Sequence, residues 1–204
     1  MKKILLLCIV IFATSCGYLS TGVSDNSKFP KFKKNTIEFK NNTILLTSGY
    51  TKTTAEKFKA RVNLLEDKAK FKTVALQELE KIENKKVDFE IFVDEDNVEN
   101  YIFVYACDFY KLDEHRAARV VASLNDQLKD ESNDQKVKYK RIHGRYFFTP
   151  TSKVVKLKYL KAYKTKKKFQ TEYIVASKYG GIGLSISNVE DVDFENSIKK
   201  LAVK

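Results

Sequence analysis

Four runs of strand-like sequence fill the last third of the chain, separated only by short polar links. They cover residues 137–148, 154–163, 169–177 and 182–186. Successive side chains of a strand point to opposite faces, so a period of two defines the two sides of a sheet. In the second run Val155, Leu157 and Tyr159 take one side and Lys156 and Lys158 the other. In the fourth, Ile182, Leu184 and Ile186 alternate, with Gly180 and Gly181 as the expected turn before them. Strands joined by such short links pair antiparallel, because a parallel partner needs a crossover of about a dozen residues or more. A four-stranded antiparallel meander is therefore fixed before any other element is placed.

The upstream segments supply hairpins and helices. Ile37 and Phe39, then Ile44 and Leu46, alternate around Asn41 and Asn42, which reads as a hairpin. Thr53 or Thr54 caps a helix whose Phe58, Val62, Leu65 and Ala69 recur at four-, three- and four-residue steps. Leu76, Leu79 and Ile82 continue the stripe, as one long helix or as two broken near Lys70. Val87, Phe89, Ile91 and Val93 form a strand, a turn follows at 94–97, and residues 101–109 are apolar on both faces, as a central strand should be. Asp113 caps a second helix carrying Ala117, Val120, Val121, Leu124 and Leu128, and Asp193 opens a closing helix with Phe194, Ile198 and Leu201. The expected fold is α+β: an antiparallel sheet, made of hairpins and the C-terminal meander, packed by two to four helices.

A meander ending in TEYIVASKYGGIGLSISNVEDVDFENSIKKL resembles the tail of the PsbP-like fold, which closes with two strands and a helix entered through a similar "DFEN" step. That family includes photosystem subunits, envelope lipoproteins and trafficking factors. The resemblance therefore implies a fold and leaves the activity open.

The other end of the chain speaks to location. Lys2 and Lys3 precede ILLLCIVIFA, a run without charge, and then come Thr14, Ser15 and Cys16. A basic start, an apolar run and small residues before a cut are the layout of a secretory signal. The run is shorter than the roughly 20 apolar residues that span a bilayer. A cysteine directly after Ala13, Thr14 and Ser15 resembles the lipobox of bacterial lipoproteins, although Ala13 stands where that family favours leucine. The resemblance implies a diacylglycerol on the Cys16 thiol and a cut before it. Acyl chains hold a domain at a bilayer through about 0.8 kcal/mol per buried CH₂, with one chain marginal and two secure. Residues 1–15 are then a signal peptide, 16–35 a lipidated cysteine and flexible tether, and 36–204 a single domain.

Losing Lys2 and Lys3, with no acidic residue, lowers the formal charge from +12 to +10. Gly and Pro are scarce at 7 and 2, and Tyr and Phe plentiful, which suits an ordered core. With Cys8 in the signal and Cys16 acylated, Cys107 has no disulfide partner and reads as a small buried hydrophobe.

Few constellations suggest chemistry. Asp94, Glu95, Asp96 and Glu99 form an acidic turn without the spacing of a calcium loop. His115 and His143 fall on different expected elements, short of a zinc ligand set. No nucleophile motif, phosphate loop or dinucleotide fingerprint is present. Neither a catalytic residue, a metal nor a cofactor is expected. The basic hairpin stands out: Lys156, Lys158, Lys161, Lys164, Lys166, Lys167 and Lys168 could meet anionic head groups at about 1 kcal/mol each, or simply keep an edge soluble. Nucleic acid is not an expected partner, because an exported protein seldom meets it.

The sequence thus leads to a non-enzymatic, lipid-anchored lipoprotein of the bacterial envelope, with the outer membrane favoured. It would act as a protein- or surface-binding module, with the membrane and an envelope protein as partners. The alternative is a small-ligand or envelope-polymer binding domain using a sheet–helix cleft. An enzyme ranks third.

Overall fold

Nine strands and four α-helices follow one another through the described residues of the computed structural model, which are 32–47, 49–66, 70–108, 111–135, 137–163 and 166–201. Strand β1 (Phe32–Ile37) starts four residues before the expected domain boundary, within the stretch expected as tether. It pairs antiparallel with β2 (Asn42–Thr47) across a short 3-10 turn, Glu38–Lys40, and Asn41 at φ 47°. Asparagine tolerates that left-handed backbone better than most residues.

The other seven strands form one antiparallel sheet. They are β3 (Tyr50–Thr53), β4 (Phe89–Asp94), β5 (Tyr101–Cys107), β6 (Lys138–Phe148), β7 (Lys153–Ala162), β8 (Lys167–Ser177) and β9 (Gly180–Asn188). Their spatial order is β3-β4-β5-β9-β8-β7-β6. The meander β6 to β9 is as the sequence foretells. Its last strand folds inward and pairs with β5, with Tyr105 opposite Gly183, so the two antiparallel groups become a single sheet. The β8–β9 turn is made by Lys178 and Tyr179 rather than by the two glycines. Gly180 sits just after it with φ 126°, a conformation that side chains resist.

Helix α1 (Ala55–Asn63) starts at Thr54, whose hydroxyl accepts the Lys57 amide at 3.3 Å. It ends before the stripe does, and α2 (Lys70–Asn84) resumes it, so the long periodic segment is two helices. Helix α3 (Glu114–Gln135) is capped by Asp113, which accepts the Arg116 amide at 2.8 Å. Phe58 and Val62 of α1, with Ala75 and Leu79 of α2, pack on Ile91, Tyr101 and Phe103 of β4 and β5. Ala117 and Val120 of α3 pack on Val155, Leu157 and Ile174 of β7 and β8.

The opposite face carries Phe92, Ile102, Val175, Leu184 and Ile186. It is covered by Ile37, Ile44 and Leu46 of the first hairpin and by Phe194, Ile198 and Leu201 around the closing helix α4 (Glu195–Lys199). One irregularity changes which residues of β6 meet each face. The register slips between Arg141 and His143, leaving Ile142 as a bulge. Tyr139 and Tyr146 are an odd number apart, yet both join the α3 side. Among the described residues no helix is long and apolar enough to cross a membrane.

Candidate functional site

The basic hairpin does not present the cationic face expected of it. Lys156, Lys158, Lys161 and Lys168 are all buried, between 1% and 7% exposed. Lys156 and Lys158 lie on the hairpin side of the sheet. Lys156 Nζ donates to Asp193 Oδ1 at 2.9 Å and Glu195 Oε2 at 3.3 Å, and Lys158 pairs with Asp191. Lys161 and Lys168 face the helices instead. Lys161 pairs with Glu78, and Lys168 Nζ donates to the Glu99 carbonyl at 2.5 Å and stands 3.6 Å from the centre of the Phe71 ring. Only Lys166 and Lys167 of the described six are exposed, and Lys166 donates to Glu99 at 2.8 Å. The physical reason is that a buried ammonium needs a partner, and the chain supplies carboxylates from distant segments. Lys164 and Cys16 lie outside the described residues.

The acidic turn is the other half of that arrangement. Asp94 accepts the Asp96 amide at 3.0 Å and the Asn100 side-chain amide at 3.1 Å, while Arg61 donates to the carbonyls of Asp94 and Glu95. Glu99 receives the lysines from the β7–β8 tip. Among the described residues no group of three or more His, Cys, Asp or Glu side chains is placed to hold a metal ion. His115 on α3 and His143 on β6 are both exposed. Cys107, the expected buried hydrophobe, is half-buried at the end of β5.

The sheet–helix cleft of the alternative reading, to which the sequence assigns no residues, lies over β9. Alternation along β9 sends Ile182, Leu184 and Ile186 into the hairpin-side core and leaves Gly181, Gly183, Ser185 and Ser187 facing the helices. A central strand with almost no side chain on one face cannot fill the space between helices that sit on either side of it. The Tyr105 ring from β5 leans into this trough, so close to Gly183 that a methyl group there would strike the ring. The gap that remains between α2 and α3 holds two neighbouring chambers. Lys85, Tyr105, Leu124 and Gln127 line both its chambers.

The first chamber, about 430 Å³, has a polar floor. Gln170 and Glu172 of β8 and Ser185 of β9 make it. Gln170 Nε2 donates to Glu172 Oε1 at 2.6 Å and to Ser185 Oγ at 2.6 Å, and Ser185 Oγ donates to the same Glu172 oxygen at 2.8 Å. Burial raises the Glu172 pKa against the lowering effect of those two donors. Burial also pushes Tyr159 up to about 12, helped by the Glu172 charge. At the chamber's side, burial alone would raise Glu78, but Lys161 and the Tyr101 hydroxyl hold it below the usual carboxylate range. Gln170 is 2% exposed, and its Oε1 has no hydrogen-bond partner among the described residues.

The second chamber, about 850 Å³, is of different character. Val87, Val120 and Ile174 give it an apolar lining, and Lys85, Arg116 and Arg119 stand around it with Asp108. Together the chambers have the size and mixture of apolar walls and few polar groups typical of ligand clefts, about 300–1,000 Å³ each.

No protein-family model matches the sequence, and no characterised protein matches it significantly. A similar solved structure is that of cyanobacterial PsbP (CyanoP) from Synechocystis sp. PCC 6803, determined in solution. It superposes with a TM-score of 0.51 at 10% identity, over 90% of this chain and 99% of that one. At that identity the likeness is one of fold, and the chain has a PsbP-like α+β fold.

Proposed function

We propose that this chain is a lipid-anchored protein of the bacterial envelope whose folded body is a non-enzymatic binding module. In this reading it takes a small ligand, or one segment of an envelope polymer, in the cleft between α2 and α3. The observation that carries it is the trough over β9: a central strand with only glycines and serines on one face, roofed by two helices and floored by Gln170, Glu172 and Ser185. The surface-binding reading rested on seven outward lysines, and four of them are spent on internal carboxylates. Anchoring rests on the stretch ending in Cys16, and two acyl chains would hold the body at a bilayer without any membrane-crossing helix.

Protein purified from membranes and methyl-labelled for NMR tests the cleft with a panel of small polar and apolar probes. Perturbations should converge on Ile82, Leu124, Leu128 and Ile174. Probes that perturb only residues away from the cleft, or none, would reject the reading. Metabolic labelling with a fatty-acid analogue tests the anchor. The label should enter wild type and be absent from Cys16→Ser, and an unlabelled wild type would remove the anchor.

A further inference from the structure

We infer that the first chamber receives a neutral, hydroxyl-rich ligand, a saccharide unit, whose hydroxyl donates to Gln170 Oε1. This rests on the cleft being a binding site. Three observations narrow the chemistry. Gln170 Oε1 is a buried acceptor without a partner, on a side chain whose nitrogen is already committed twice, to Glu172 and Ser185. Leaving such a group unpaired costs about 1–3 kcal/mol, so a ligand that donates to it satisfies an acceptor that no protein group serves. An orphaned acceptor calls for a donor, which a carboxylate or phosphate oxygen is not.

Charge is the second constraint. The chamber is lined by three carboxylates, Glu78, Asp130 and Glu172, and three ammonium groups, Lys81, Lys85 and Lys161. With equal numbers of each sign the lining carries no net formal charge to favour an ion of either sign. A cation moving toward Glu172 meets Lys161, whose charge reaches that carboxylate. A hydroxyl is donor and acceptor at once, and so can give to Gln170 or Glu172 while accepting from a lysine.

The third constraint is the floor itself. Ser185 and Gly183 keep it low, and the Tyr105 ring stands at its edge, an apolar surface next to polar acceptors. A sugar ring offers the same pairing of C–H surface and hydroxyl edge. The second chamber, with its apolar lining and arginines, lacks any such orphaned group among the described residues.

Membrane-purified protein, titrated with maltotriose, diacetylchitobiose and, as an anionic amphiphile, decanoate, tests the inference by NMR. At least one neutral sugar should shift the Gln170 side-chain amide signal of the wild type, which reads the contact without any substitution. Gln170→Met should weaken that sugar about tenfold or more, with its melting temperature checked alongside. Perturbation of the cleft by decanoate and by neither sugar overturns the ligand class and leaves the cleft reading standing. No perturbation by any of the three overturns both. A sugar that shifts the cleft but binds Gln170→Met as tightly as wild type overturns the role of the orphaned oxygen.

Discussion

Lys161 and Lys168 stand directly opposite each other on the β7–β8 ladder, both buried on the helix-facing side of the sheet. Like charges so placed repel, and the fold resolves the conflict by giving each its own partner. Glu78 of α2 takes Lys161, while Glu99 and the Phe71 ring take Lys168. Glu78 is the most consequential, since it also accepts from the Tyr101 hydroxyl. Glu78→Gln should destabilise by about 3–5 kcal/mol, because it strands a buried ammonium. The double variant Glu78→Leu with Lys161→Met should recover most of that loss. Urea unfolding of the three proteins measures both, and a mild single-variant effect would mean the pair is solvated.

Lys168 makes stability depend on alkaline pH. Burial lowers its pKa from 10.5 to about 7, against the raising effect of Glu99 and Glu78 and together with Lys161 and Lys166. Between about pH 7 and 10.5 the unfolded chain holds a proton that the folded chain has released. Stability therefore rises with pH across that window, and below it the burial cost is fully present. Above pH 10 the buried tyrosines Tyr50 and Tyr173, whose pKa values burial raises, reverse the trend. Denaturant midpoints at pH 6.5, 8 and 9.5, taken for wild type and Lys168→Met, should diverge most at the lowest pH. Parallel curves would show that Lys168 stays charged throughout.

Gly183 and Tyr105 are coupled through space. A methyl group at position 183 meets the Tyr105 ring, which is 8% exposed and held by its own packing. Gly183→Ala should cost about 1–3 kcal/mol by overpacking. In a Tyr105→Ala background the same substitution should cost markedly less, because the obstacle is gone. A double-mutant cycle measures the coupling, and additive effects would place the ring elsewhere.

The periodic parts of this fold are legible because they depend on neighbours in sequence. The meander, the Asp113 cap and the pairing of β4 with β5 are all local patterns. The resemblance of the C-terminal half to PsbP-like proteins points to the same sheet. What escapes is set by long-range pairing. Nothing near β9 states that it will join β5, some 80 residues earlier. Strand β3 has four residues and no apolar alternation, so it is visible only through its partner β4. The bulge at Ile142 shifts parity along β6 without a proline or glycine at that position to mark it.

The lysines illustrate the same limit. Lys156 and Lys158 alternate correctly, but their carboxylates come from residues 33 to 39 positions later, and sequence spacing cannot report that. The cleft had a readable signal that alternation alone concealed. Ile182, Leu184 and Ile186 drew attention to one face of β9, while the complementary set Gly181, Gly183, Ser185 and Ser187 left the other face bare. Small residues at every second position of a strand mark either a close neighbour or an unfilled space.

Acid should loosen the C-terminal cover before the rest of the sheet. Glu195 accepts from Lys199, Lys156 and Arg145, and the first two, Lys199 foremost, hold its carboxyl below the usual range. Burial would raise Asp193, but Lys156 and the Glu195 amide outweigh it, so it too is held low. A carboxylate with a depressed folded pKa stabilises fully above its unfolded value and loses that contribution as pH falls through the folded one. Both groups are near solvent, so the effect is modest and local. As pH falls below about 4.5, amide exchange at Ile198 and Leu201, corrected for intrinsic rate, should accelerate before that at Tyr173 and Val175. Glu195→Gln should reduce this difference, because an amide does not titrate. Simultaneous loss of protection in α4 and β8 would instead mean that the cover and the sheet unfold as one unit.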